Sequence, residues 1–172
     1  MSVVWKGPAV TGKNATTLPN KVFLGIGANL VPDGYASAHD GCGAAVDMLT
    51  AQDIEVLACS RWFESAPVPI SDQPFFVNAV VLAQTKLSPA ETLARLHEIE
   101  NRFGRTRMVR NEARVLDIDL LNYADMVHDD AALMLPHPRL HDRAFVLLPL
   151  FDVAPDWIHP ALGTPLHVMI AN

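Results

Sequence analysis

Cysteine is scarce in this chain, which excludes a small protein built on a disulfide framework and one built around a metal bound by cysteines. Only two of the 172 residues are cysteine. That is too few for a disulfide framework, and their positions do not have metal-ligand spacing. Cys42 falls at an apolar helical position and Cys59 in a strand-like run. We therefore expect both to be buried free thiols.

Long hydrophobic runs are also absent. No segment approaches the roughly 20 apolar residues of a membrane-spanning helix, and residues 1–20 have no apolar core of the signal-peptide kind. We expect a cytoplasmic protein with no membrane partner. Residues 1–20 lack periodicity and are predicted to form a flexible N-terminal extension, followed by one domain over residues 21–172.

Basic residues are few but concentrated. Lysine and arginine total 13 against 19 acidic residues, giving a formal charge of −6, yet five arginines stand between positions 102 and 114. The negative balance, without an aromatic stacking motif, argues against a nucleic-acid partner. Such a concentration of arginines in an acidic chain indicates one local anion site.

A strand-like run follows those arginines. In RVLDIDLL, residues 114–121, Asp117 and Asp119 share one strand face, and the intervening aliphatic side chains share the other. Carboxylates about 7 Å apart repel by about 2 kcal/mol at an effective dielectric of about 20. A divalent cation reverses that sign, and oxygen ligands suit Mg²⁺, which completes its shell with water and phosphate. These residues leave one alternative open, in which a solvent-exposed strand face lies beside a solvent-exposed loop and no ion is bound.

Hydrophobic periodicity predicts the order strand, helix, strand, strand, helix, strand. The second helix has the clearest start, with Ser88 as N-cap, Pro89 at the first helical position, Glu91 closing a capping box and Gly104 at its end. The order is typical of an α+β, ferredoxin-like sandwich with a mainly antiparallel sheet. The predicted segments are strands at 21–28, 54–64, 75–84 and 114–123 and helices at 36–52, 88–104 and 144–151.

Residues 110–121, RNEARVLDIDLL, resemble the signature of the 6-hydroxymethyl-7,8-dihydropterin pyrophosphokinase family of folate biosynthesis. Further motifs agree in the same order between residues 21 and 165. They are GANL at 27–30, DQP at 72–74 with Asn78, Glu100 with GR at 104–105, and PH at 136–137 with Arg143 and Phe145.

The resemblance implies a magnesium-dependent diphosphotransferase with the ferredoxin-like fold. In this reaction the hydroxymethyl oxygen of the pterin attacks the β-phosphorus of ATP and AMP leaves. Two Mg²⁺ ions are implied, with ATP as co-substrate and small molecules as the binding partners of a monomer. Physically, the reaction requires charge neutralisation and in-line positioning.

The resemblance also implies roles for individual residues. His137 could instead be a structural histidine and Phe76 an ordinary strand residue, whereas an amide at Asn78 among apolar residues needs a partner. The implied catalytic residues are Arg105, Arg114, Asp117 and Asp119, and both aspartates are the implied metal ligands. The implied ATP-binding residues are Glu100, Arg105, Arg107, Arg110, His137 and Arg143. The implied pterin-binding residues are Ser65, Val68, Phe76, Asn78, Asp117 and Phe145.

The chain departs from the family pattern near the pterin. Glu112 stands where glycine is usual, and Asn111 lies where a loop tryptophan is usual, so we expect residues 107–113 to close less firmly over the ligand. Two rival functions follow. The chain could be a paralogue acting on another pterin alcohol, or a non-catalytic protein that binds nucleotide or pterin. The intact charged residues argue against the second.

Overall fold

An antiparallel sheet organises the chain in the computed structural model, which describes residues 18–104, 113–130 and 132–171. The predicted extension therefore lies largely outside the described residues. The helices are α1 Ala38–Leu49, α2 Pro89–Arg102, α3 Ala144–Val153 and α4 Leu166–Ala171. The strands are β1 Asn20–Ala28, β2 Ile54–Cys59, β3 Phe63–Ser65, β4 Phe76–Thr85, β5 Asp117–Tyr123, β6 His128–Asp130 and β7 Leu133–Leu135.

The strand order confirms the predicted fold class. The sheet runs β2-β4-β1-β5, with β3 also paired to β4, and every pairing in it is antiparallel. With α1 between β1 and β2 and α2 between β4 and β5, this is the βαββαβ arrangement of a ferredoxin-like sandwich. Strands β6 and β7 form a separate hairpin. None of the described helices combines the length and apolar character needed to cross a membrane.

The sheet is covered on both faces, but unequally. Alternate side chains such as Leu24, Ile26 and Ile118 pack into a core with α1 and α2. On the opposite face Phe23 and Leu121 pack with α3 and α4. Burying a side chain of this size contributes about 1.5–3 kcal/mol. The second core covers only part of its face, and the remainder is open.

The second helix forms as its sequence predicts. The Ser88 hydroxyl accepts from the Glu91 amide while the Glu91 carboxylate accepts from the Ser88 amide, with Pro89 at the first position. Gly104 ends the helix with φ +79°, a conformation that side chains other than glycine rarely adopt. Local capping chemistry therefore sets both ends of α2.

The predicted strand at 54–64 is divided in two. At the break the Val80 amide donates to the Ser60 hydroxyl at 2.9 Å. The Ser60 side chain thus takes the place that a backbone carbonyl would have in the β-ladder. The Arg61 side chain then pairs with Asp152, drawing the chain toward α3. The expectation for Cys59 is wrong, since this thiol is exposed on edge strand β2, whereas Cys42 is buried and burial raises its pKa to about 12.

A buried histidine, His159, links stability to pH. His159 is 4% exposed, its Nδ1 accepts from the Leu162 amide at 3.3 Å, and its ring lies 5.9 Å from that of His141. Burial and the neighbouring His141 lower the pKa of His159 below its ordinary value. The folded state thus favours the neutral ring, and stability is lost as the pH falls below about 6.5 toward the folded pKa.

We predict that His159→Gln weakens this pH dependence. Between pH 7.5 and pH 5 the wild-type chain should lose more unfolding free energy than the variant, because the unfolded histidine takes up a proton that the folded one resists. Urea unfolding at the two pH values measures the difference. Exposed His167→Gln is the matched control and should lose as much as wild type. Equal losses in the His159 variant and wild type would contradict the assignment.

Candidate active site

Strand β5 presents its two aspartates to a cavity. Ile118 and Leu120 are 2% and 4% exposed in the core, and Asp117 and Asp119 line a cavity of about 530 Å³ on the opposite side. The predicted division of the strand into an apolar and a carboxylate face is therefore confirmed. The cavity occupies the part of the sheet that α3 and α4 leave uncovered.

The cavity floor contains two glycines. Gly27 pairs with Asp117 on one side and Asn78 on the other, and Gly25 pairs with Asp119. A Cβ added at Gly27 would lie 3.2 Å from the Asn78 Oδ1 atom, closer than ordinary contact. Because glycine has no side chain, a flat ligand can approach the sheet between the carboxylate and the amide.

The amide of Asn78 is fixed by its neighbours. The residue is 6% exposed, and its Nδ2 donates to the Ser65 hydroxyl at 2.9 Å and, more weakly, to the Phe63 and Phe76 carbonyls. These bonds use only Nδ2. They supply the partners that a buried amide needs. Within the described part of the chain, the Oδ1 acceptor can therefore still accept a hydrogen bond from a ligand.

The cavity wall has an apolar and a cationic part. Val68 lies at the rim and is 75% exposed, and Phe145 from the first turn of α3 also lines the cavity. The Arg143 guanidinium carbon lies 5.4 Å from the Phe145 ring centroid, within cation–π range. An aromatic ring and a positive charge therefore lie side by side in the cavity wall.

Arg114 is held by its backbone as well as by its side chain. Its amide donates to Asn29 Oδ1 at 2.7 Å, and its carbonyl accepts from the amides of Asn29 and Leu30, each at 3.0 Å. The guanidinium is paired with Asp117. These contacts explain why β5 begins at Asp117, three residues after the predicted start at 114.

Asp119 lies where its negative charge is disfavoured. Burial and the nearby Asp117 carboxylate raise its pKa above the ordinary value. Arg143 Nη1 at 3.6 Å and His137 Nε2 at 4.0 Å oppose that shift. In the absence of a further cation, the site therefore favours the ionised form of Asp119 less than water does.

His137 approaches the site with one ring nitrogen. Its Nδ1 accepts from the Arg139 amide at 3.2 Å, so the proton of the neutral ring resides on Nε2, facing Asp119. Burial lowers the pKa of His137, although Asp119 opposes the shift and the nearby arginines reinforce it. The neutral ring can donate one hydrogen bond toward the carboxylate or a phosphate oxygen.

The described lining is balanced in charge. Arg114, Arg139 and Arg143 are matched by Asp117, Asp119 and Asp142. No cluster of three or more histidine, cysteine or acidic side chains arranged for a metal occurs within residues 18–104, 113–130 and 132–171. A cation here would therefore have two carboxylates and take its other ligands from water or phosphate, a donor set that fits Mg²⁺.

Most of the predicted site residues come together. His137 lies beside the cavity. Glu100 lies apart, 1% exposed, with Oε1 accepting from the Ile118 amide at 2.7 Å. Arg105, Arg107 and Arg110, with the departures at 111–112, lie outside the described residues. The predicted residues that line the cavity are Ser65, Val68, Phe76, Asn78, Arg114, Asp117, Asp119, Arg143 and Phe145.

Several lining residues were not anticipated. Gly25 and Gly27 could have been found, because glycines two apart in a strand share a face. No role was predicted for Gln73, Arg139 or Asp142, which also line the cavity. Gln73 and Arg139 lie in loops, and Asp142 ends a short 3-10 helix, Leu140–Asp142. Their positions depend on contacts between distant segments.

We predict that Gly27→Ala weakens binding of a flat ligand. The added methyl group approaches Asn78 Oδ1 and occupies the floor, so pterin affinity should fall at least about tenfold while the fold is retained. Titration calorimetry with a pterin alcohol measures the loss. Gly43→Ala is the control, because nothing lies within 4 Å of a Cβ at that position. Unchanged affinity in the Gly27 variant would reject this surface as the floor.

Comparison with known proteins places these features in context. The model of the 7,8-dihydro-6-hydroxymethylpterin-pyrophosphokinase (HPPK) family matches residues 23–155. A 2-amino-4-hydroxy-6-hydroxymethyldihydropteridine pyrophosphokinase of Synechocystis is 37% identical over 147 residues, covering 86% of this chain and 73% of the relative. The Pseudomonas aeruginosa protein of the same name is 36% identical over 137 residues, covering 79% and 82%.

Longer proteins also match. The chain is 38% identical over 152 residues to a folic acid synthesis protein of Pneumocystis carinii, covering 88% of this chain but only 20% of that one. A crystal structure of Plasmodium falciparum HPPK-DHPS superposes with a TM-score of 0.72 at 14% identity, covering 92% of this chain and 44% of the other. This structural likeness supports the ferredoxin-like fold alone.

Proposed function

Because the chain belongs to the 7,8-dihydro-6-hydroxymethylpterin-pyrophosphokinase family, we propose that its cavity transfers pyrophosphate from ATP to the hydroxymethyl group of 6-hydroxymethyl-7,8-dihydropterin. The family and its pyrophosphokinase role in folate biosynthesis, both predicted from the motifs, are confirmed. The observation that carries the detailed proposal is the row formed by Asp117, Gly27 and Asn78 across one sheet face. The carboxylate at one end of this row and the amide at the other support the binding of a flat heterocycle beside an acidic site.

The amide end of that row suits the pterin. The Asn78 carbonyl oxygen can accept from a ring N–H, and Ser65 holds the amide in place. Phe145 and Phe76 line the cavity and supply apolar and ring contacts. A ring held by both stacking and hydrogen bonds gains specificity, because an analogue lacking the N–H leaves a buried acceptor unpaired.

The carboxylate end suits the triphosphate. Asp117 and Asp119 would hold Mg²⁺, for which two ions are expected, and bound Mg²⁺ supplies charge neutralisation for phosphate oxygens. Arg114 and Arg143 approach the two aspartates from different segments and would bind phosphate oxygens by paired N–H donors. His137 would donate from Nε2. Roles for Glu100, Arg105, Arg107 and Arg110 at the nucleotide remain proposals.

The reaction is a displacement at phosphorus. The hydroxymethyl oxygen bonds to the β-phosphorus, the bond from that phosphorus to the α,β-bridging oxygen breaks, the hydroxyl proton passes to solvent, and AMP leaves. The contribution of this chain is to hold the two substrates in line and to present fixed positive charge where negative charge moves. A cytoplasmic location and a monomeric state complete the proposal.

We predict that AMP release requires Mg²⁺ and both aspartates. Asp117→Ala and Asp119→Ala should each lower turnover by several orders of magnitude, because loss of one ligand alters charge and geometry together. Both variants should remain folded, because the two carboxylates line the cavity and do not lie in the core. A coupled AMP-release assay measures turnover, and a thermal melt checks folding.

Controls separate the alternatives. Asp129→Ala, in the separate hairpin, should retain activity. Near-normal turnover in either site variant would exclude the metal assignment. A wild-type chain that binds pterin without releasing AMP would be a non-catalytic binding protein. Faster turnover of another pterin alcohol in a substrate panel would identify a paralogue.

We predict that Arg114→Ala lowers the rate of transfer far more than it weakens pterin binding. Its guanidinium faces the charged end of the cavity, so its main effect should be on transition-state charge. Arg114→Lys should recover activity only in part, because an ammonium lacks the paired donors. Steady-state kinetics with direct pterin titration would test this. Equal losses in affinity and rate would make Arg114 a ground-state binding residue.

A further inference from the structure

Asn29 joins three segments around the cavity. It follows β1 directly and is 4% exposed. Its Nδ2 donates to Gln73 Oε1 at 3.1 Å and to the Pro74 carbonyl at 3.2 Å. Its Oδ1 accepts from the Arg114 amide at 2.7 Å. One side-chain amide therefore ties the segment before β4 to Arg114, three residues before β5.

We propose that Asn29 is a positioning residue for pyrophosphate transfer, in which its Oδ1 fixes the phosphate-side Arg114 and its Nδ2 fixes the pterin-side wall. This inference rests on the proposed function and extends it to a residue that does not itself line the cavity. Its Oδ1 acts on the phosphate side of the cavity and its Nδ2 on the pterin side.

On the phosphate side, Asn29 fixes the backbone from which the arginine extends. The Arg114 amide donates to Asn29 Oδ1, and the Arg114 carbonyl accepts from the Asn29 and Leu30 amides at 3.0 Å each. Both backbone polar groups of Arg114 are thereby held. An arginine side chain is long and loses considerable rotamer freedom when it is ordered, so a fixed backbone reduces the positions that its guanidinium can reach. Misplacement by about 1 Å can lower a rate by about 100-fold.

On the pterin side, Asn29 holds the approach to β4. Gln73 lines the cavity, as does Phe76 two residues after Pro74. Proline has no N–H, so the carbonyl of Pro74 is its only backbone polar group, and Asn29 satisfies it. Holding this segment places Phe76 and, two residues further, Asn78 relative to the glycine floor.

The two roles can be separated by substitution. Aspartate retains the acceptor for the Arg114 amide and removes the donors. Gln73 can rotate its own amide to donate to that carboxylate, but the Pro74 carbonyl cannot. The loss in Asn29→Asp therefore falls on the pterin side. Leucine has a similar size and neither donor nor acceptor, so Asn29→Leu removes both roles.

The experiment is steady-state AMP release by the full chain with Mg²⁺, varying pterin and ATP in turn. Asn29→Asp should raise the KM for the pterin about tenfold and change kcat by less than about threefold, as expected for loss of one neutral hydrogen bond. Asn29→Leu should also lower kcat by about 100-fold, because Arg114 is then misplaced. If Asn29→Leu does not fold, Asn29→Ser replaces it, and a kcat loss of at least about tenfold is expected because its hydroxyl is too short for both segments.

Asn122→Ala is the control for a purely structural effect. Asn122 is another buried asparagine, 3% exposed, whose amide donates to Asp125 at 3.0 Å outside the cavity lining. Its removal should lower the melting temperature and leave kcat and both KM values unchanged. Kinetics of Asn29→Leu, or of its serine replacement, that match this control would overturn the proposal. So would an equal kcat loss in Asn29→Asp and Asn29→Leu. A wild-type chain that releases no AMP would instead reject the proposed function.

Discussion

Two like charges on one face of an edge strand are the constraint around which this site is built. Burial and mutual repulsion both oppose the ionisation of Asp119, so the pair is tolerable only where cations are close. Arg114 balances Asp117, while Arg143 and His137 face Asp119. These partners come from two segments, the residues that lead into β5 and the connection between β7 and α3. The charges of the described lining residues balance, so additional positive charge would favour the entry of an anionic triphosphate.

The features predictable from the sequence are those governed by local periodicity. Alternation in β5 fixes which side Asp117 and Ile118 face, whatever the strand pairs with. The capping box at Ser88 is equally local, because its donors and acceptors lie within four residues. The βαββαβ order followed from such segments, and the motif resemblance added the roles. Nine predicted site residues line one cavity because strand faces and loop ends could be assigned in this way.

The features that escaped prediction depend on contacts between distant residues. The second strand breaks where Ser60 accepts from Val80, 20 residues away, and β5 starts late because Arg114 bonds to Asn29, 85 residues away. Glu100 accepts from the Ile118 amide, 18 residues away. No local pattern encodes these distances. Arg139 and Asp142 likewise reach the lining through the path of the connection between β7 and α3, which composition and spacing do not determine.

Helix α3 connects the stability of the fold to the chemistry of the site. Val146 and Leu147 pack into the second core, while Arg143 and Phe145, at the start of the same helix, face the cavity. The uncovered part of the sheet exists because this helix covers only the other part. A shift of α3 along the sheet would therefore both open the core and displace Arg143. The glycine floor and the paired carboxylates contribute little to stability, so the core beside them must hold the geometry that they use.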